Sequence, residues 1–193
     1  KNGQEWDFNT ITGKKDYTET IAKNVAGITL GVLTGTAIIS TGNNLVKDIL
    51  SNELIENNNV YLASKEQIVK LNVMDGTVLW TQELPQDLTS KSSIFIKDSL
   101  LYMVNKGYAF LGSKRIDLGA PFIAAYNKEN GQQYFFTSID EKKNPILDYI
   151  IINNKLALIY KDKITINSWS NGAEIFSKSF KVDEIGELRF FAG

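Results

Sequence analysis

Val60–Leu84 reads VYLASKEQIVKLNVMDGTVLWTQEL. Its β-prone runs, rich in Val, Ile and Leu, stand on either side of the small polar turn VMDGT, and Trp80 follows Gly76 by four residues. The same unit occurs three more times. Gly13 precedes Tyr17 in the turn TITGK, Gly131 precedes Phe135 in KENGQ, and Gly172 precedes Phe176 in SNGAE. Asp75-Gly76, Asn130-Gly131 and Asn171-Gly172 are dipeptides that reach positive φ at little cost, which predicts tight hairpin turns. Thr12-Gly13 is a weaker version of the same turn. An even spacing from the glycine keeps the ring on one face of the sheet in every copy. Tyr17, Trp80, Phe135 and Phe176 are therefore expected to be core residues between neighbouring repeats rather than a ligand-stacking set, because a ligand site needs no ring in every copy.

Outward from these motifs lies an upstream hairpin in each of the better copies. Leu54–Ala63, Ile94–Met103 and Tyr149–Leu158 each read as strand, polar turn, strand. Hairpin plus hairpin makes four antiparallel strands, and four-stranded units recurring along a chain predict an all-β fold built of β-propeller blades. A bare blade needs roughly 40 to 50 residues. The last glycine-to-glycine period is a minimal blade and the first two carry insertions. About three complete blades are expected, with partial blades at both ends and approximate blade ends near 20, 85, 140 and 181. Trp6–Tyr17 reads as the second half of a blade and Leu188–Gly193 as the opening strand of another. The expectation is a fragment of a larger propeller, with a small ring closed by its two partial blades as the alternative. Open edges of this kind also predict self-association.

The motif resembles the repeat of the quinoprotein-type (pyrroloquinoline-quinone-like) propellers, an aliphatic strand followed by A-L-D-x-x-T-G-x-x-x-W. The repeat's Asp falls on Asn9, Asn72, Asn127 and Ser168, and its Trp on Tyr17, Trp80, Phe135 and Phe176. The likeness runs from Trp6 to Phe180 in degenerate form and implies a bacterial periplasmic or cell-envelope location. The quinone dehydrogenases of that family use a vicinal cysteine pair and a calcium-binding set of acidic and amide side chains. This chain has no Cys and no recognisable counterpart of that set, so no cofactor is expected.

Composition narrows the chemistry further. Of 193 residues, 43% are hydrophobic and 22% charged, enough apolar material for a sizeable core. The net charge of −1, with both signs interleaved, gives no basic field for nucleic acid. With no His and no Cys, hydroxyl or thiol nucleophiles activated by imidazole are excluded, as are imidazole and thiolate metal sites. Carboxylates such as Asp140 with Glu141, or Asp183 with Glu184, read as loop charges. No catalytic residue and no metal ligand is expected. The apolar run Val25–Ile39 carries Gly27, Gly31 and Gly35, but at 15 residues it is too short to span a bilayer. Its three Thr and its β-branched residues predict two strands turning at Leu33-Thr34-Gly35-Thr36, and no membrane span.

One insertion stands out. After Leu100–Asn105 comes KGYAFLGSKRIDLGAPF, Lys106–Phe122, where a compact blade would turn directly. Aromatic residues beside Arg are the types that anchor interfaces, so Tyr108, Phe110, Lys114, Arg115 and Phe122 form a candidate partner-binding loop. The alternative is that Tyr108–Leu111 merely extends the strand and packs against the adjacent blade. The functional expectation is a non-catalytic scaffold binding a protein or polysaccharide partner at the cell envelope. A fragment of a quinoprotein-like enzyme and the ligand-receiving domain of an extracellular sensor are the alternatives.

Overall fold

The computed structural model describes the strand backbones 28–33, 36–41 and 44–46, and residues 50–181 apart from 75, 86–87, 112–113, 140–143 and 153–154. Every regular element among the described residues is a β-strand. The expectations for Gly13 with Tyr17, Asp140 with Glu141, Asp183 with Glu184 and the terminal strands at Trp6–Tyr17 and Leu188–Gly193 lie outside the described residues.

Strands β1 (Ile28–Leu33), β2 (Thr36–Thr41) and β3 (Asn44–Val46) form a three-stranded antiparallel sheet. The apolar run is thus strand rather than helix, and Leu33 pairs with Thr36 across the expected turn. No helix among the described residues is long and apolar enough to cross a membrane.

Three four-stranded sheets follow. The first joins β4 (Leu54–Glu56), β5 (Asn59–Ala63), β6 (Gln67–Asn72) and β7 (Val78–Glu83) in sequence order. The second joins β8 (Ser92–Lys97), β9 (Leu100–Asn105), β12 (Phe122–Asn127) and β13 (Gln133–Ser138), with the hairpin β10 (Tyr108–Leu111) and β11 (Lys114–Asp117) inserted midway. The third joins β14 (Asp148–Ile152), β15 (Lys155–Ile159), β16 (Lys163–Ser168) and β17 (Glu174–Ser179). All are antiparallel meanders. They are blades of a β-propeller, here called first, second and third.

The turn ahead of each fourth strand is built alike. Gly76, Gly131 and Gly172 have φ of 70°, 75° and 71°. Their amides donate to the carbonyls of Asn72, Asn127 and Ser168, four residues back, over 2.8, 2.8 and 2.9 Å. The side-chain oxygens of those same residues accept a second bond, from the amides of Met74, Glu129 and Ser170. Asn and Ser thus fill the repeat's Asp position by acting as acceptors, the role a short polar side chain takes in turns. These are four-residue turns and not the two-residue hairpins that the dipeptides predict. Asn130 and Asn171 keep ordinary φ, and only the glycine crosses to the left-handed side. A two-residue turn with both residues at positive φ occurs instead at Asn57-Asn58, between β4 and β5.

A bulge then re-aims the ring. Val78 faces Leu71 while Trp80 faces Lys70, which leaves Leu79 as the extra residue. Tyr134 and Ile175 occupy the same place in the next two blades. A bulge turns the following side chain to a defined face, and the bulged residues themselves are exposed.

The ring on the fourth strand packs on the glycine of the blade after it. A Cβ on Gly131 would lie 2.6 Å from Cε3 of Trp80, and one on Gly172 would lie 2.9 Å from Cε2 of Phe135. Trp80 Nε1 donates to the carbonyl of Lys128, and the hydroxyls of Tyr61 and Tyr102 donate to the carbonyls of Lys128 and Trp169. Lys70–Glu129 (2.8 Å) and Lys128–Glu56 (2.9 Å) add ion pairs across the first interface. One apolar cluster joins Tyr61, Trp80, Met103 and Phe122 between the first and second blades. Another joins Tyr102, Ile123, Leu158 and Trp169 between the second and third.

Register aligns Leu54, Tyr61, Lys70 and Trp80 with Phe95, Tyr102, Ala125 and Phe135 in the second blade, and with Ile150, Ala157, Ile166 and Phe176 in the third. Trp80 is 8% exposed, whereas Phe176 is 55% exposed. The expectation that the repeated rings are buried therefore fails at Phe176. It points away from the second blade, from the last described strand.

Candidate functional site

One rim of the blades carries the starts of the first strands and the ends of the second. The insertion rises from it. Two features hold β10 and β11 in place. Gly119 has φ of 70° and runs so close to the carbonyl oxygen of Leu88 that a Cβ there would collide with it. Beside it, Asn105 is fully buried at the end of β9. Its Oδ1 accepts from the Ser90 amide (2.7 Å) and from the hydroxyls of Ser90 and Ser92 (3.1 Å each). Its Nδ2 donates to the carbonyls of Leu88 (2.9 Å) and Ala120 (2.7 Å). One amide side chain thus ties the loop before β8, the end of β9 and the return of the hairpin into a single knot, with every polar valence used.

The five loop residues do not come together as one exposed patch. Arg115 is exposed. Tyr108 is only 6% exposed, and Phe122 is fully buried on β12 against Phe136. An exposed aromatic anchor is therefore not what Tyr108 or Phe122 provides. The side chains of Phe110 and Lys114 lie outside the described residues. Tyr108 does not extend β9 either, since β10 and β11 form their own two-stranded sheet, with Tyr108 opposite Asp117.

Cations gather around this base instead. The amide of Lys106 donates to the carbonyl of Lys91 (2.8 Å), and the amide of Lys91 to the carbonyl of Tyr108 (2.9 Å). Arg115 Cζ lies 5.6 Å and Lys91 Nζ 5.7 Å from the centre of the Tyr108 ring. Lys106 Nζ lies 5.7 Å from the Tyr149 ring, whose carrier strand begins at Asp148. The third blade reaches this place directly, through the Ile146 amide on the Lys106 carbonyl at 2.9 Å.

Burial pushes both lysines below the usual ammonium value, for Lys91 with help from the charge of Lys106, and Asp148 opposes the shift in each. Burial likewise raises the phenols of Tyr108 and Tyr149, against Arg115 at the first and Ser93 at the second. A lysine whose value is depressed on folding binds fewer protons in the folded than in the unfolded chain, so stability rises with pH between the folded value and the ordinary one. At neutral pH the buried charge is a net liability. Lys106→Met is expected to stabilise the fold at pH 7, and the gain should shrink as pH rises through the folded value. Urea unfolding at neutral and alkaline pH checks this, and a loss of stability at pH 7 would contradict it.

Sequence reasoning passed over Lys91, Asn105, Asp148 and Tyr149. A signal for the first existed. The two-residue turn at Asp98-Ser99 fixes Lys97 opposite Leu100 and Ser92 opposite Asn105, so the next step outward sets Lys91 against Lys106. Nothing local places Asp148 and Tyr149 there, since they come from the next blade. Among the described residues, no three acidic side chains gather in a way that could hold a metal ion.

No protein-family model and no curated protein matches the chain. Among solved structures it is similar to the computationally designed Ika8 protein, with 12% identity and a TM-score of 0.48 over 80% of this chain and 49% of that one. It is also similar to the quinohemoprotein alcohol dehydrogenase ADHIIG of Pseudomonas putida HK5, with 11% identity and a TM-score of 0.49 over 81% of this chain and 23% of that one. BamB of Moraxella catarrhalis matches with 13% identity and a TM-score of 0.37 over 79% of this chain and 63% of that one. The chain thus spans from about a quarter to under two thirds of these proteins.

Proposed function

We propose that this run of propeller blades is a non-catalytic scaffold of the bacterial cell envelope that binds a protein partner on the rim bearing the β10–β11 hairpin. One observation carries the reading. Among the described residues of the second and third blades, the hairpin is the single departure from a bare four-strand meander, and the buried Asn105 network locks its base rigidly to the scaffold. A rigidly based protrusion suits recognition, because little conformational freedom is lost on binding. The absence of His and Cys from the whole chain supports the non-catalytic part. The resemblance of its repeat to the quinoprotein type supports the envelope.

The test is site-specific photo-crosslinking in envelope extracts, with the probe at position 115 and, as control, at position 155 on the opposite rim. A discrete adduct from position 115 alone is expected. Equal labelling from both rims would remove the reading.

A further inference from the structure

Three cations converge on the base of the hairpin from three parts of the chain. Lys91 precedes β8, Lys106 follows β9, and Arg115 sits on β11. Lys91 and Arg115 both stand over the Tyr108 ring, at 5.7 and 5.6 Å, while Lys106 stands over that of Tyr149 at 5.7 Å. Among the described residues, the one carboxylate acting on both lysines is Asp148, which is itself exposed. Asp117, exposed on β11, stands opposite Tyr108, so among the described residues three cations face two carboxylates at this rim, a local excess of one positive charge on a chain whose overall charge is −1.

Resting on the partner-binding reading above, we propose that this rim binds an acidic peptide segment, its Asp or Glu carboxylates bridging Lys106, Lys91 and Arg115.

The chemistry favours carboxylates on a peptide over the alternatives. A sugar polymer is held by open aromatic faces, and none is open here among the described residues. Tyr108 is 6% exposed with cations over its ring, and Tyr149 stacks on Phe95 at 5.5 Å with Lys106 also above it. A long phosphate polyanion needs an extended basic track, and the overall charge opposes one. What remains is a compact site with fixed cations set into a partly buried rim, where ion pairing is less screened than on open surface. Burial holds Lys91 and Lys106 below the ordinary lysine value, and an incoming carboxylate would offset that effect. Binding should accordingly take up protons as pH approaches the lysine values, and affinity should fall as pH rises past them. Among the described residues, Lys91, Lys106, Asp148, Tyr108 and Tyr149 face one another at this point, with Arg115 over the Tyr108 ring and Asp117 opposite that residue across the hairpin.

The experiment uses the full chain and a fluorescein-labelled hexaglutamate peptide, followed by anisotropy at low salt. Saturable binding is expected, weakened about tenfold by Arg115→Gln and by Lys106→Met, and unchanged by Lys155→Gln on the opposite rim. Arg115 is exposed, so its variant tests the site even where Lys106→Met alters the fold. Unlabelled hexaglutamate should displace the probe, while oligogalacturonate of equal charge and inorganic phosphate should not. No binding, equal competition by either anion, or binding indifferent to both rim substitutions would overturn the proposal. Persistence of the position 115 crosslink alongside failed hexaglutamate binding would leave the scaffold reading standing and remove the acidic peptide. Loss of both would remove both.

Discussion

Replacing Trp80 with Ala is expected to destabilise the fold by about 3 to 5 kcal/mol, the range for truncating a large buried aromatic. The ring is 8% exposed, lies on Gly131 of the second blade, and donates from Nε1 to the Lys128 carbonyl at 3.1 Å. Its loss opens a cavity between two blades and strands a carbonyl that Tyr61 meets only at 3.4 Å. Phe176→Ala supplies the internal control. It occupies the same register position on the third blade but is 55% exposed, so the change should stay within about 0.5 kcal/mol. Urea unfolding of both variants reads the difference. A further variant separates ring from backbone. Gly131→Ala forces a side chain onto a backbone at φ 75° and into the Trp80 ring, and should cost about 1 to 3 kcal/mol. In the Trp80→Ala background part of that cost should vanish, because the collision is gone. A Trp80→Ala loss no larger than that of Phe176→Ala would refute packing between blades.

Asn105→Ala should cost about 3 kcal/mol or more, although it removes only a few atoms. The substitution leaves the Ser90 amide and the Leu88 and Ala120 carbonyls without the partner that Asn105 supplies, and each buried polar group left unpaired costs about 1 to 3 kcal/mol. Ala120 and Leu88 keep one bond to each other, a long one at 3.3 Å, which limits the loss but does not cancel it. Asn105→Asp should fare no better, since a second oxygen would then face two carbonyls. The distinguishing readout is local. Amide exchange at Leu118 and Ala120, the hairpin's return, should accelerate more than exchange in β15. Uniform acceleration would mean that Asn105 supports the whole fold and not the hairpin in particular.

Much of the fold could be read because each repeat writes its turns locally. Gly76, Gly131 and Gly172 mark the turn before the fourth strand. Asn57-Asn58 and Asp98-Ser99 mark the first hairpins, and the strands between them fall where β-prone runs were expected. Backbone demands of this kind are satisfied within a few residues, so sequence alone settled them, together with the strand character of the apolar run and the exclusion of imidazole and thiol chemistry. The turn type was misread for an equally local reason. Asn127 takes up the turn amides of Glu129 and Asn130 with its own side chain, an option that the Asn130-Gly131 dipeptide does not advertise.

What only the tertiary structure decided depends on distance along the chain. Residue parity could not foresee the bulges at Leu79, Tyr134 and Ile175, yet these determine which face each ring takes. The burial of Trp80 depends on a glycine 51 positions later, and the exposure of Phe176 on the absence, among the described residues, of any such partner. Phe122 looked like a loop anchor because it ends the insertion, but pairing with Asn105 makes it the first residue of β12 and turns it into the core. The cationic rim is the clearest case. Lys91 and Lys106 are ordinary charges in the sequence, Arg115 stood out there only as part of the inserted loop, and Asp148 and Tyr149 belong to another blade. Antiparallel register and blade-on-blade packing bring them together, and burial then makes their charges matter.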